Sequence, residues 1–416
     1  MQTRTPELIA IDKTRLLGTL NRLAAVGADP AGGITRPGFS VAERAARDLL
    51  TRQCRADGLV VRTDAACNLI VQRADADPSR PALLMGSHLD TVVNGGRLDG
   101  AYGVAAAVEV VRTLNTHPVT PTYEPVAVAF ANEEGADFPC PFFGSKALAG
   151  RLGPEDVGPD REGRPLHEQI RRAGGDLDRV REAAWAPGSI AGFLELHIEQ
   201  GPILEAGDVP IGVVEAITGR VIFDVEVRGQ QNHAGTTPMA MRCDALVTAA
   251  RIVLMIRDVA EPAGVCRVAT VGVLDVAPNT TNVVPGGVRL TAEIRDGDPG
   301  RLRRAEQAVR AAVHRACDQT GSTAEVRVVA RIAPVATDHR LRNVVLESTE
   351  TLRLEHLEMP SGAGHDAQII AGAAPIGMIF VPSRGGVSHA PSEATADEHL
   401  VAGANVLLRA AQVAVA

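Results

Sequence analysis

The chain has 416 residues, of which 45% are hydrophobic, and its 42 basic and 50 acidic side chains leave a formal net charge of -8. That length predicts two or three domains rather than one core. An acidic balance, 3% aromatic residues and no basic cluster argue against a nucleic-acid or anionic-membrane partner. Residues 1–15 lack the apolar core of a signal peptide, and the longest apolar run, 371–381, is broken by glycine and proline and too short to span a bilayer. Cys54, Cys67, Cys140, Cys243, Cys266 and Cys317 form no C-x-x-C pair and read as reduced thiols. A cytoplasmic enzyme is the expectation.

Residues 82–86 open an apolar run (Ala82, Leu83, Leu84, Met85) that enters G-S-H-L-D-T-V-V-N-G-G-R-L-D-G-A-Y-G at Gly86. Beyond it Val104, Val108 and Val111 recur on one helical face. A buried strand, a glycine-rich loop and a helix are predicted, with His88, Asp90 and Asp99 at the carboxyl end of the strand. Open α/β sheets build their sites on that rim. A second apolar run, 126–131, ends in Asn132-Glu133-Glu134-Gly135, and in F-L-E-L-H-I-E-Q-G, from Phe193, the alternation puts Glu195, His197 and Glu199 on one face. To about Gly212 such runs alternate with helices, as in a mostly parallel sheet covered on both faces.

Between residues 220 and 333 the period becomes two. Val221, Phe223, Val225 and Val227 alternate with polar or exposed-type partners, as do Val288, Leu290, Ala292 and Ile294, and then Val326, Val328, Ala330 and Ile332. This predicts an antiparallel sheet with one wet face. Two helices interrupt it, one carried by Leu246, Ala249, Val253 and Ile256, the other by Leu302, Ala305, Val309 and Val313. The order is βαββαβ. After Pro334 the first pattern returns, with a buried strand at 373–380 and a closing helix at 397–415. The predicted fold is α/β: a catalytic domain with a mostly parallel sheet and helices on both faces (1–212 and 334–416). A small ferredoxin-like α+β domain (213–333) interrupts it.

The glycine-rich segment P-S-R-G-G-V-S-H-A-P that follows the last buried strand presents His389. With His88, Asp99, Glu134 and His197 it makes three imidazoles and two carboxylates. That set suits two divalent ions, one carboxylate bridging and one position open for water. Mixed sites of this kind accept Zn2+, Mn2+, Co2+ or Ni2+ alike. Asp90, two residues past His88, is expected to accept that imidazole's spare N–H. Glu133 and Glu134, on an extended strand end, are expected to point in opposite directions, one toward metal and the other over the attacking water as proton shuttle. His117, His167, His314, His339, His356 and His399 lie in helical or linker contexts without such neighbours. Neither G-x-G-x-x-G nor G-x-S-x-G occurs at these loops.

In order along nearly the whole chain stand G-S-H-L-D-T, G-G-R-L-D-G, N-E-E-G, G-S-K-A-L-A-G, H-I-E-Q-G-P, Q-N-H-A-G-T-T-P-M, R-D at Arg295, S-G-A-G-H-D and S-H-A-P-S-E. This series resembles the M20 family of dinuclear metallo-amidohydrolases. Within it the likeness is to the branch of N-carbamoyl-L-amino acid hydrolases, β-ureidopropionases and allantoate amidohydrolases. The resemblance implies one ion held by His88, Asp99 and His197 and another by Asp99, Glu134 and His389, with Glu133 as base and Asp90 as orienting partner. It implies a dimer formed through the inserted domain. His233 is expected to reach an active site, its own or the partner's, and to stabilise an oxyanion. Asn282 and Arg295 match positions that hold the substrate's carboxylate, a role to which a guanidinium fork is suited. Gln200, Gly362, Gly364 and His365 are expected to line the pocket. The chain departs from many relatives at Ala136-Asp137-Phe138, where an arginine is common.

The expected reaction is hydrolysis of a linear amide or carbamoyl C–N bond beside a carboxylate-bearing carbon, giving amino acid, ammonia and carbon dioxide from a carbamoyl or ureido acid. Allantoate hydrolysis and aminoacylase or dipeptidase activity are the alternatives among enzymes. A non-catalytic metal-binding protein is the alternative outside them, against which Glu133 argues, because it is superfluous for holding ions.

Overall fold

A computed structural model describes residues 8–30, 32–117, 121–160 and 162–415. The chain divides into two compact units, the first running to Glu215 and returning at Thr337–Met359 and Ala363–Ala416, the second comprising Ala216–Ala336 and Pro360–Gly362.

The first unit is built on a mixed sheet. Its central strands Glu124–Phe130, Ala82–His88, Ile190–Ile198 and Ile376–Val381 lie side by side in that order and are mutually parallel. Antiparallel strands flank them: Val60–Thr63 and Leu69–Gln72 on one side, Ile211–Ile217 on the other. Every residue of Ala82–His88 and Glu124–Phe130 is buried, which is why these strands read as continuous apolar runs. The helix Ala101–Thr116 is buried along Ala101–Leu114 and packs its valines and alanines into the same core as the closing helix Asp397–Val415. Because the four central strands run in one direction, their carboxyl ends share a rim, and His88, Asn132-Glu133-Glu134, His197 and Pro382-Ser383 all leave the sheet there.

The second unit is a four-stranded antiparallel sheet in the order Thr323–Ile332, Gly219–Arg228, Gly287–Asp296, Val268–Ala277. Its chain order with the helices Ala245–Ala260 and Pro299–Thr320 is βαββαβ. Val221, Phe223, Val225, Val227, Val288, Leu290, Ala292 and Ile294 are buried against Ala249, Ile252 and Ile256 of one helix and Leu302, Ala305, Val309 and Val313 of the other. The opposite face carries a charged ladder in which Arg289 and Arg327 both donate to Asp224. Among the described residues no helix is long and apolar enough to cross a membrane.

Candidate metal centre

Asp99 lies at the centre of the rim. Its Oδ1 is 3.4 Å from His88 Nε2 and 3.2 Å from His197 Nε2, while its Oδ2 is 3.1 Å from His389 Nε2. Glu134 Oε1 stands 3.4 Å from that same His389 nitrogen. Two donor groups result, His88–Asp99–His197 and Asp99–Glu134–His389, each with ligand atoms within 4.8 Å of one another, and Asp99 belongs to both with a different oxygen toward each. A third such group is His88–Glu133–Glu134. His88, Asp99 and His197 are buried, whereas the His389 side chain is 49% exposed.

The local backbone explains the convergence. Gly100 adopts φ 62°, a left-handed conformation, and a Cβ there would fall 2.4 Å from His88 Cε1. Only glycine lets the loop pass close enough to bring Asp99 beside that ring. The Gly100 N–H donates to His197 Nε2 at 3.2 Å, the position a cation would take.

Two expectations from the sequence are corrected. The spare nitrogen of His88 does not meet the Asp90 carboxylate, which is 3.8 Å away; it lies 3.0 Å from the main-chain oxygen of Asp90. The Asp90 carboxylate instead accepts the N–H groups of Glu133 and Glu134, at 3.1 Å each, so it holds the two glutamates rather than the imidazole. Nor do those glutamates diverge as on a strand end. Asn132 at φ 53° and Gly135 at φ 63° turn the backbone, and both carboxylates come within 4.8 Å of the His88 donor nitrogen.

The electrostatics of the cluster are those of crowded, buried acids. Burial, with Glu134 and other acids nearby, lifts the Glu133 carboxyl well above its ordinary range. Burial also takes Glu134 to about 7, with Asp99 adding to it. For Asp99 burial works upward too, but hydrogen bonds from His197, His389 and His88 outweigh it and hold the group well below the usual range. The hydrogen bond to Asp99 lifts His389 to about 9. Carboxylates packed this closely repel unless positive charge sits among them, and nitrogen and oxygen donors in two triads sharing one carboxylate suit divalent cations. On donor chemistry the residues fit such ions.

Gln200, in the left-handed region at φ 58°, directs its amide Nε2 to Asp99 Oδ2 at 2.8 Å and so touches the cluster itself. The His365 ring is buried edge-on against His197, centroids 4.8 Å apart, and its backbone caps the helix Asp366–Ile370 without a side-chain cap bond. Gly362 and Gly364 are exposed. His233, Asn282 and Arg295 belong to the second unit. His233 is exposed, and its Nδ1 accepts the N–H groups of Gly235 (3.0 Å) and Thr236 (3.2 Å), an arrangement that assigns the proton to Nε2. Exposed Asn282 accepts the Ala234 N–H through its main-chain oxygen at 2.9 Å. Arg295 donates through Nε to Glu293 at 2.5 Å and through Nη1 to the Gly362 oxygen at 2.7 Å.

Four residues beside the cluster carry no role in the sequence analysis above. Buried Glu195 accepts Ser87 Oγ–H at 2.7 Å and the Ala367 N–H at 2.9 Å, and Asp366 is buried nearby. Ser388 and Glu393 contact Asp99 and its loop. Glu195 shares a strand face with His197, and Ser388 and Glu393 flank His389, so proximity to a ligand was the signal available for three of them. Glu199, on the other hand, accepts the N–H groups of Ile203 and Leu204 at 2.8 Å each and serves the short helix Ile203–Ala206.

Comparison with known proteins identifies the family. Residues 84–413 match Peptidase family M20/M25/M40. The chain is 39% identical to an N-carbamoyl-L-amino acid amidohydrolase of Geobacillus stearothermophilus, over 95% of this chain and 97% of that one. It is 38% identical to an allantoate amidohydrolase of Escherichia coli, over 94% and 95%. A crystal structure of an amidase of the hydantoinase/carbamoylase family from Burkholderia multivorans superposes with a TM-score of 0.91 at 36% identity, covering 98% of both chains. The chain therefore belongs to peptidase family M20/M25/M40 and is a hydrolase of amide C–N bonds.

Proposed function

We propose that this chain cleaves the C–N bond of an N-carbamoyl amino acid or related ureido acid, using two divalent ions per subunit, Zn2+ or Mn2+ foremost and Co2+ or Ni2+ in the same sites. The single observation that carries this reading is the division of the Asp99 carboxylate, one oxygen toward His88 and His197 and the other toward His389 beside Glu134. His88, Asp99 and His197 would hold one ion, and Asp99, Glu134 and His389 the other. Bound there, the ions would polarise the substrate carbonyl and lower the pKa of water from about 15.7 toward 7.

The remaining chemistry belongs to side chains. Glu133, held in place through its N–H by Asp90, takes a proton from water as the water oxygen adds to the carbonyl carbon. A carboxylate whose proton affinity is raised by burial is suited to that exchange. As the C–N bond breaks, Glu133 returns the proton to the departing nitrogen. From a carbamoyl group the products are ammonia and a carbamate, which decomposes to amine and carbon dioxide. His233, with its proton on Nε2, donates to the developing oxyanion, an interaction worth about 3 kcal/mol for one donor. Arg295 and Asn282 receive the substrate's carboxylate, and Gln200, His365 and the Gly362 and Gly364 loop line the pocket.

The names of the relatives support a small carbamoyl or ureido acid as substrate, and the allantoate-hydrolysing relative keeps allantoate as the second candidate. A homodimer formed through residues 213–333 is supported by the edge strand Val268–Ala277, which exposes Val268, Val273 and Leu274, and by exposed Val247 and Leu254 on the helix Ala245–Ala260. The unpaired state of all six cysteines accords with the cytoplasm. Ammonia release from a panel of N-carbamoyl-L-amino acids and allantoate, run beside amine release from N-acetyl amino acids, tests the assignment. Turnover of the ureido compounds alone is expected; turnover of the acetyl compounds alone would replace it with an aminoacylase.

A further inference from the structure

Glu393 is 4% exposed and lies four residues past His389, yet both of its carboxylate oxygens are committed. Oε1 accepts the N–H of Leu98 at 2.8 Å and that of Asp99 at 3.0 Å. Oε2 accepts the Ser388 hydroxyl at 2.9 Å. The loop before Asp99 is shaped to receive it: a Cβ on Gly96 would lie 2.1 Å from the Glu393 carboxyl. Ser388 Oγ is also 3.1 Å from Asp99 Oδ2 and so stands between two acceptors with one hydrogen to give.

We propose that Glu393 is a positioning residue for the metal centre: it fixes the backbone at Asp99 and draws the Ser388 hydrogen away from Asp99 Oδ2, so that this oxygen, which already accepts Gln200 Nε2–H, meets one donor fewer in competition with a cation. The inference rests on the reading that Asp99 bridges two ions. Its physical content is directional. A carboxylate can only accept, so Ser388 donates to Glu393. An amide in its place would keep the two backbone contacts through oxygen but would donate to Ser388 through nitrogen. The hydroxyl hydrogen would then turn to Asp99 and compete with the ion.

Chelator-stripped full-length protein titrated with Mn2+, with free Mn2+ followed by electron paramagnetic resonance, tests this. Partners of metal ligands typically contribute about 10–100-fold to affinity, so Glu393→Gln is expected to weaken Mn2+ binding by that factor with its near-ultraviolet dichroism intact. Ser388→Ala alone should bind within about threefold of wild type, since it removes the competing donor. The double variant should recover most of the loss. A Glu393→Gln protein that binds like wild type, or a double variant as weak as the single, overturns the proposal while leaving the bridging role of Asp99 in place. Wild-type protein that binds no Mn2+ overturns both. Should Glu393→Gln not fold, Gly96→Ala, which displaces the carboxyl and with it the Leu98 and Asp99 contacts, is expected to weaken binding at least as much, with Ser388→Ala restoring only part of the loss; normal binding there contradicts the proposal.

Discussion

Around Asp99, donors from four strand ends converge, its carboxylate facing three imidazoles and the Gln200 amide, and the loops that carry them are pinned by further side chains such as Asp90. His233, Asn282 and Arg295 are built differently. They are exposed or partly exposed residues of the antiparallel sheet and in or beside a short ladder that pairs Asn232–His233 with Val283–Val284, and their contacts reach only a few neighbours. The first arrangement suits a fixed charge that must be held at sub-ångström tolerance; the second suits a ligand that has to arrive and leave. Removing a member of either group should therefore produce losses of different kinds.

Glu133→Gln gives the sharpest separation. General bases contribute about 10²–10⁴-fold, and a fall in kcat of that size is expected with metal content by elemental analysis unchanged. His233→Ala should cost about 10²–10³-fold in kcat, the loss of one oxyanion donor, again without loss of metal; an altered metal content would erase the distinction between the two regions. Arg295→Ala is expected to raise KM for carboxylate-bearing substrates about 10–100-fold, in line with a charged hydrogen bond of roughly 1.5–3 kcal/mol. A matched substrate amide, lacking the carboxylate, should not feel it. Arg289→Ala, in the charged ladder on the wet face of the second sheet, has the smallest effect: at most about 1 kcal/mol by denaturant titration, with metal content and turnover unaltered.

Much of this was legible in the sequence because burial and periodicity are local. The alternation of Val221–Val227 and Val288–Ile294 reports a one-sided sheet directly, and the continuous run at Ala82–Met85 reports a strand covered on both faces. The antiparallel flanks Val60–Thr63 and Leu69–Gln72 are four residues each, and the first is exposed at three of them, so neither pattern develops. On the helix Ala245–Ala260 the buried stripe passes through Ala245, Thr248, Ala249, Ile252, Ile256 and Val259, rotated from the apolar line through Leu246 and Val253, because exposed apolar side chains there shift the apparent face. In the site, the candidate ligands were legible as histidines and acids at successive strand ends. The role of Asp90 was not, since it depends on which of its oxygens the folded loop turns toward His88. Glu393 bonds to a backbone 294 residues away, and no spacing encodes that.

The central claim is that Asp99, shared between two donor triads, holds two cations on which turnover depends. Divalent ions per chain in active wild-type protein and in Asp99→Ala, measured by elemental analysis beside ammonia release, test it most directly. The account predicts two ions and turnover in the wild type, and loss of both from the folded variant. Full turnover in wild-type protein stripped of divalent ions, or two ions retained by Asp99→Ala, would contradict it.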